Sequence, residues 1–370
     1  MRLKRLQVDG LRCLREVDLS LSGDAVWLAG PNGAGKTSVL EAIALLGFGR
    51  SFRGRVGDGL LVRDGGPVQV VAHWIDAAGA ERVSGLRHWG DRWEARLDGV
   101  AQDRLSALAT LFPVLAHHPE SSRWVSGPAE ERRRLVDWLA FHVEPTFAER
   151  SQHAGRALRQ RNHLLRAQAE AAEFDFWETA LAEAAEAMTA ARRAAVAGLE
   201  EALLRIWPSL AGTASAPRLQ WRAGWREDAA SLRDLLYLQR ERDRELGYTA
   251  AGPHRADLLL GRPFGVESSQ CSRGQAKVLA LALSLAQVDA LRQWNGSHTL
   301  LLLDDLRAEL DPGHFEAVLG WLAAHGGQVW ISGTEPDPRA RVRLAPLQVF
   351  HVEQGRLHAV AAVEAPRQPL

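Results

Sequence analysis

The octapeptide Gly30-Pro-Asn-Gly-Ala-Gly-Lys36-Thr37 restricts this chain more than any other feature. It fits the pattern G-x-x-x-x-G-K-[ST] and stands where that pattern has physical meaning. The apolar run Ala25-Val-Trp-Leu-Ala29 leads straight into it as a buried strand, and Val39, Leu40, Ile43, Ala44 and Leu46 follow at helical spacing. A strand that ends in glycines and restarts as a helix turns its backbone N–H groups toward one point, where the positive end of the helix dipole adds to them. Gly30, Gly33 and Gly35 permit the turn without Cβ clashes. With Pro31, Asn32 and Ala34 they form the expected cradle for the phosphates of ATP, Lys36 reaching the β- and γ-phosphates and the Thr37 hydroxyl ligating Mg²⁺.

Three further segments complete such a site. Leu300-Leu-Leu-Leu303 delivers Asp304 and Asp305 to the end of a second apolar strand. Asp304 is the candidate for holding Mg²⁺ through water, and Asp305 for polarising an attacking water; adjacent acids at a strand end also serve as helix caps. Ser272-Arg273-Gly274-Gln275-Ala-Lys277 opens the apolar helix Val278 to Val288 and reads either as a second anion-binding helix end or as a plain N-cap on Ser272. Thr334 follows the strand Val329 to Ser332 and is either a catalytic switch residue or a lone threonine in a turn.

Composition narrows the remaining classes. Basic and acidic residues balance at 45 each, so any nucleic-acid surface must come from segregated charge. Only Lys4, Lys36 and Lys277 among the basic residues are lysine, and two of these three lie in the segments above. Two cysteines, Cys13 and Cys271, supply neither a disulfide framework nor a cysteine metal site. There is no HExxH pattern, and the adjacent His117 and His118 read as packing or capping residues. No apolar run approaches the roughly 18 residues that a bilayer crossing needs, so a cytoplasmic protein with no membrane partner is expected.

Along the chain, Leu3, Leu6, Val8, Val17 and Leu19 alternate as strands do, and Val68 to Ile75 with Trp93 to Leu97 extend an antiparallel sheet. Pro113 and Pro119 bracket a crossing into a second region. Residues 129–206 are rich in Ala, Leu, Arg and Glu and form a helical arm, with a break between shorter helices at Phe174, Phe176 and Trp177. A helix carrying Phe315, Val318, Leu319 and Leu322 separates two buried strands in a βαβ rhythm, and a hairpin around Gln354-Gly355 closes the chain. The expected fold is α/β; with the Gly30–Thr37 and Asp304–Asp305 elements present, the Ser272 segment resembles the signature motif of ABC-type ATPases, which implies an ABC-type P-loop ATPase head with a mixed-sheet core lobe at 1–118 and 285–370. A mainly helical lobe at 119–284 would carry the Ser272 segment.

Several blocks carry a family likeness. Leu40-Glu-Ala-Ile43, Gly49-Arg-Ser-Phe-Arg53, Ser272-x-Gly274-Gln275-x-Lys277 and Asp304-Asp305-x-x-x-Glu309-Leu310-Asp311 resemble RecF, the bacterial replication and recombination-repair ATPases, themselves similar to SMC and Rad50 heads. Pro119-Glu120, Gly127-Pro128, Arg132-Arg133, Arg156-Ala-Leu-x-Gln-Arg-Asn162 and Gly252-Pro-His-Arg255 follow in the same order, so the likeness spans about residues 3 to 360. The resemblance implies ATP-dependent homodimerisation and cross-subunit closure by Ser272, Arg273, Gly274 and Gln275. It also implies binding to DNA at single-strand gap junctions, help from RecO and RecR in loading recombinase, and a slow ATPase that uses Lys36, Asp305 and Thr334. Arg50, Arg53, Arg55 and Arg63 are the candidate DNA contacts, although solvated arginines are commoner. Ala308 stands where the family carries serine, and Ala256 where it carries an acid. The rival readings are the ATP-binding subunit of a membrane transporter, which keeps its signature much nearer its P-loop, and an architectural clamp that binds ATP without turning it over.

Overall fold

The computed structural model describes residues 1–49, 51–52, 66–89 and 92–360. The candidate DNA-contacting Arg50, Arg53, Arg55 and Arg63 lie outside the described residues. Along the chain come β1 (Arg2–Leu11), β2 (Leu14–Ser20), β3 (Ala25–Ala29), α1 (Lys36–Phe48), β4 (Val68–Ile75), β5 (Glu81–Trp89), β6 (Arg92–Leu97), β7 (Val100–Gln102), α2 (Ser106–Leu111) and β8 (Val114–His117). Helices α3 (Arg123–Ser126), α4 (Ala129–Val143), α5 (Phe147–Arg166) and α6 (Ala171–Ala211) precede β9 (Arg218–Arg222), α7 (Leu232–Leu238), α8 (Arg240–Leu246) and β10 (Asp257–Gly261). The last stretch holds α9 (Arg273–Asn295), β11 (Leu300–Leu303), α10 (Leu306–Glu309), α11 (Pro312–His325), β12 (Val329–Gly333), α12 (Pro338–Arg343), β13 (Leu347–Glu353) and β14 (Arg356–Val360).

Two compact units result: Met1–Ser121 with Ser209–Ala211 and Leu291–Leu370, and Ser122–Pro208 with Gly212–Ala290. The first contains two six-stranded sheets. One is antiparallel, ordered β2-β1-β4-β5-β6-β7; the other, ordered β14-β13-β3-β12-β11-β8, has five parallel strands and the antiparallel edge strand β14. Helix α1 packs against strands of both sheets and is buried around its whole circumference from Val39 to Gly47. Apart from Glu41, its sequence over that stretch is accordingly apolar all round rather than on a stripe. Parallel strands buried on both sides read as continuous apolar runs, which explains the four leucines of β11 and the five buried residues of β3.

The second unit is mainly helical, with the two-stranded β9–β10 ribbon as its described sheet. Its core holds a fully buried arginine. Arg161 of α5 donates to Glu178 of α6 at 3.1 Å, to Asp243 of α8 at 2.7 Å, to Thr249 at 2.9 Å and to the Leu236 carbonyl at 2.9 Å. A buried charge is tolerable only when paired and hydrogen-bonded in this way, so the residue fixes how α5, α6, α7 and α8 meet.

Two expectations need correction. The Pro113–Pro119 segment is not a plain crossing: Val114–His117 forms β8, the parallel edge strand beside β11, with Val114 opposite Leu300 and His117 opposite Leu303. An edge strand tolerates flanking prolines because its outer N–H groups need no partner. Phe174, Phe176 and Trp177 do not mark a break either. The chain turns earlier, at 167–170, where Gln168 has φ 51° and a Glu170–Glu173 capping box starts α6. The aromatic cluster then lies inside a continuous 41-residue helix, where Phe174 is buried and packs under Arg240 and Arg244.

Candidate functional site

The carboxyl ends of β3, β11 and β12 lie side by side, the edge at which open parallel sheets bind ligands. After β3 the chain enters the glycine loop. Pro31, Asn32 and Gly33 form an exposed lip, whereas Ala34, Gly35 and Lys36 are buried. At Gly30, where φ is 153°, a Cβ would sit 2.2 Å from the Val352 carbonyl oxygen, so β13 admits only glycine there. The Gly30 amide donates to the Thr334 carbonyl at 3.0 Å, which ties the loop to the end of β12, and the Gly355 amide donates to the Ala34 carbonyl at 2.8 Å.

Helix α1 starts without a capping side chain and without an acidic residue in its first turn. Its leading N–H groups are left for an external acceptor. Lys36 is 6% exposed and donates to the carbonyls of Gly30 at 2.7 Å and Pro31 at 2.9 Å, with no carboxylate partner among the described residues. A buried ammonium bonded only to neutral oxygens beside uncapped amides is a site suited to an anion.

Next to it the Thr37 hydroxyl donates into the Asp304 carboxylate, 3.0 Å from each oxygen. Asp304, 7% exposed, also accepts from the Ser332 hydroxyl at 2.6 Å, and Ser332 in turn accepts from the Asp305 amide at 2.9 Å. One hydroxyl and one carboxylate in contact suit Mg²⁺, which keeps several waters and takes few protein ligands beside substrate phosphates. Among the described residues no group of three or more His, Cys, Asp or Glu forms an all-protein metal cage. Asp305 is half-buried in the left-handed region at φ 57°, and no described residue bonds its carboxylate. The cap reading of this acid pair is not realised by either side chain.

Thr334 is exposed just beyond β12. With Gly30, Pro31, Glu335, Arg341 and His351 it lines a cavity of about 460 Å³ beside the loop. Lys36, Thr37, Asp304, Asp305 and Thr334 therefore share one edge of the first unit. The other predicted residues belong to the second unit, where Ser272, Arg273 and Gly274 are exposed at the start of α9. There the Gln275 amide donates to Ser272 Oγ at 3.2 Å and the Ser272 amide donates to Gln275 Oε1 at 2.9 Å. This reciprocal pair is a capping box, so the N-cap reading of Ser272 is realised.

Sequence reasoning overlooked Ser332 and Glu41. Ser332 is fully buried and joins both acids; its signal was a polar residue ending an apolar strand. Glu41 is likewise fully buried in α1, pairs with Arg12 of the β1–β2 turn, and accepts from Ser51. It binds the Leu40–Ile43 block to the start of the Gly49–Arg53 block. His117, the last residue of β8, adjoins the acids: its carbonyl accepts from the Asp304 amide at 2.8 Å, and burial, then neighbouring His118, pushes its ring pKa down to about 3.

A profile of the AAA domain family matches residues 5–66. The DNA replication and repair protein RecF of Xanthomonas euvesicatoria pv. vesicatoria (strain 85-10) is 42% identical over 366 residues, 98% of this chain and 100% of that protein. The RecF of Shewanella loihica (strain ATCC BAA-1088 / PV-4) is 33% identical over 97% of this chain and 100% of its own. Among solved structures, the recombination mediator protein RecF-ATP of the RecFOR pathway superposes with a TM-score of 0.84 at 22% identity, covering 97% of this chain and 98% of that one. An Smc head bound to the C-winged helix domain of ScpA gives 0.60 at 15% identity, over 98% of both chains. At those identities the structures speak for the fold, an ABC-type ATPase head. The sequence relatives match from end to end at well above that level, and on their strength the chain belongs to the RecF family of DNA replication and repair proteins.

Proposed function

We propose that the chain is an ATP-dependent DNA-binding protein of recombinational repair that closes into a homodimer on ATP and opens on hydrolysis. The observation that carries this reading is the convergence of Lys36, Thr37 and Asp304 beside an uncapped helix end. Lys36 and the loop amides bind the triphosphate. Thr37 and Asp304 would hold Mg²⁺, which when bound neutralises phosphate charge. Asp305, whose carboxylate no described side chain claims, orients the attacking water, and Thr334 stands across the loop as the switch residue.

The second copy completes the γ-phosphate cage with its Ser272 segment, so dimerisation assembles the catalytic site. Family membership supports DNA gap junctions as the ligand and RecR and RecO as partners in recombinase loading. A transporter subunit is the weaker reading for a chain whose family relatives match along its full length. Light scattering tests the proposal. The parent chain should double in mass on adding ATP, more so with gapped DNA, whereas Ser272→Arg should bind ATP as a monomer within about twofold of the parent and stay monomeric. Equal dimerisation of the two chains would remove the cross-subunit role.

A further inference from the structure

The Gly252-Pro-His-Arg255 block is a quoted segment that the nucleotide chemistry leaves unexplained. It faces the sequence Trp221-Arg-Ala-Gly-Trp-Arg226, in which indoles and guanidiniums repeat. Strand β9 pairs with β10 through Arg222 opposite Asp257, and the chain beyond it folds over the block. At Gly224, φ 93°, a Cβ would lie 2.3 Å from the Gly252 carbonyl oxygen and 2.5 Å from the Ala256 nitrogen, while the Gly252 amide donates to the Gly224 carbonyl at 3.1 Å. Two backbones in contact admit only glycine at this point, so the loop is held in place by its own geometry.

The result is an open cleft of about 690 Å³ lined by Arg222, Trp225, Arg226 and Arg255 together with three acids. Each acid is already engaged: Glu227 with Arg193, Asp228 with Arg226 at 3.3 Å, and Asp257 with Nε and Nη2 of Arg132 at 2.7 and 3.0 Å. Arg222 and Arg255 are exposed and pair with no carboxylate among the described residues; Arg255 stacks over Tyr248 at 5.2 Å. Arg133 donates to the Ala256 carbonyl at 2.7 Å behind the block and adds to the positive field. Ala256 itself is fully buried.

Two unpaired guanidiniums that share a cleft with a half-buried indole offer what a single strand needs, partners for its phosphates and a flat surface for a base. An acidic peptide would use the arginines but not the flat ring. We propose that this cleft holds a short stretch of single-stranded DNA, phosphates on Arg222 and Arg255 and a base stacked on Trp225. The proposal rests on the reading of the chain as a DNA-binding protein, and it assigns the unpaired part of a gap junction to the second unit.

Fluorescence anisotropy of the full chain with labelled oligothymidylate, and with a duplex of equal length, tests it. Arg222→Gln with Arg255→Gln should weaken oligothymidylate binding about tenfold and flatten the plot of log affinity against log salt by about 1.4, as the loss of two single-strand phosphate contacts requires. Trp225→Leu should weaken it about fivefold or more with the slope unchanged, and Trp225→Phe should restore most of the loss. Duplex affinity should move less than twofold in all three variants. Parental oligothymidylate affinity in both the arginine pair and Trp225→Leu would overturn the assignment, as would an equal loss on duplex or equally effective displacement by polyglutamate. A parent chain that binds neither single-stranded, gapped nor duplex DNA would instead sink the DNA-binding reading itself.

Discussion

The amino ends of α1 and α9 are both proposed to face phosphate, yet they are built in opposite ways. At α1 no side chain caps the helix, and the nearest cation, Lys36, is buried against its own loop. At α9 the end is exposed and already capped by the Ser272–Gln275 box. Uncapped buried amides cost free energy until an acceptor arrives, so the first end is specialised for one ligand. A capped end is stable alone. Because Ser272 accepts in its cap, its hydroxyl hydrogen remains to donate elsewhere, and the capping and signature readings are compatible.

The largest effect should follow from breaking the specialised end. Lys36→Ala removes the loop's own ammonium, and titration calorimetry should record an ATP affinity at least about 100-fold weaker, with no ATP-dependent dimer. An unchanged affinity would mean that the amides suffice and that the lysine serves folding. Asp305→Asn comes next. It keeps the backbone shape but removes the base-like oxygen, so turnover should fall about 100-fold while the ATP dimer persists longer than the parental one in dissociation kinetics. A dimer lifetime equal to the parent's would favour the architectural clamp.

The contrast also explains which parts were legible in the sequence. The α1 end was readable because strand, glycines and helix are contiguous and each answers to a local rule. Asp304 was readable because four leucines announce a buried strand. Ser332 was not, since one serine after Val-Trp-Ile looks like a strand end until the fold sets it between two acids. Strand β8 was missed because its four residues carry no period, and only pairing with β11 makes them a strand. Arg161 looks like any arginine on a polar helix; its burial depends on Glu178 and Asp243, far away in sequence. Long-range pairing, rather than weak local signal, separates what was read from what was not.

A pH measurement sharpens the buried side of the comparison. His117 is held neutral by burial, with its pKa pushed down to about 3 from 6.5. The unfolded chain therefore binds the proton more readily, and this group's contribution to stability is present above about pH 6.5 and falls away as pH drops toward 3. One such group should lower the unfolding free energy by about 2 kcal/mol between pH 7 and pH 5. Urea midpoints for the parent and His117→Gln at those two pH values should differ in their pH dependence by that amount. Parallel pH dependences would assign acid lability to other groups.

The smallest expected effect tests whether the α9 end serves in two ways. Ser272→Ala and Gln275→Ala each delete one half of the capping box, and each should cost about 1 kcal/mol of stability. If the box were the whole role of Ser272, the two variants would behave alike in every assay. On the proposed mechanism they diverge, because only the serine hydroxyl donates to phosphate across the dimer. Ser272→Ala should weaken the ATP-dependent dimer in sedimentation by about tenfold for each of its two sites, the magnitude of one hydrogen bond to a charged acceptor apiece, while Gln275→Ala stays within about threefold of the parent. Equal weakening in both would reduce the α9 end to a structural cap and leave the α1 end as the chain's single phosphate-binding helix terminus.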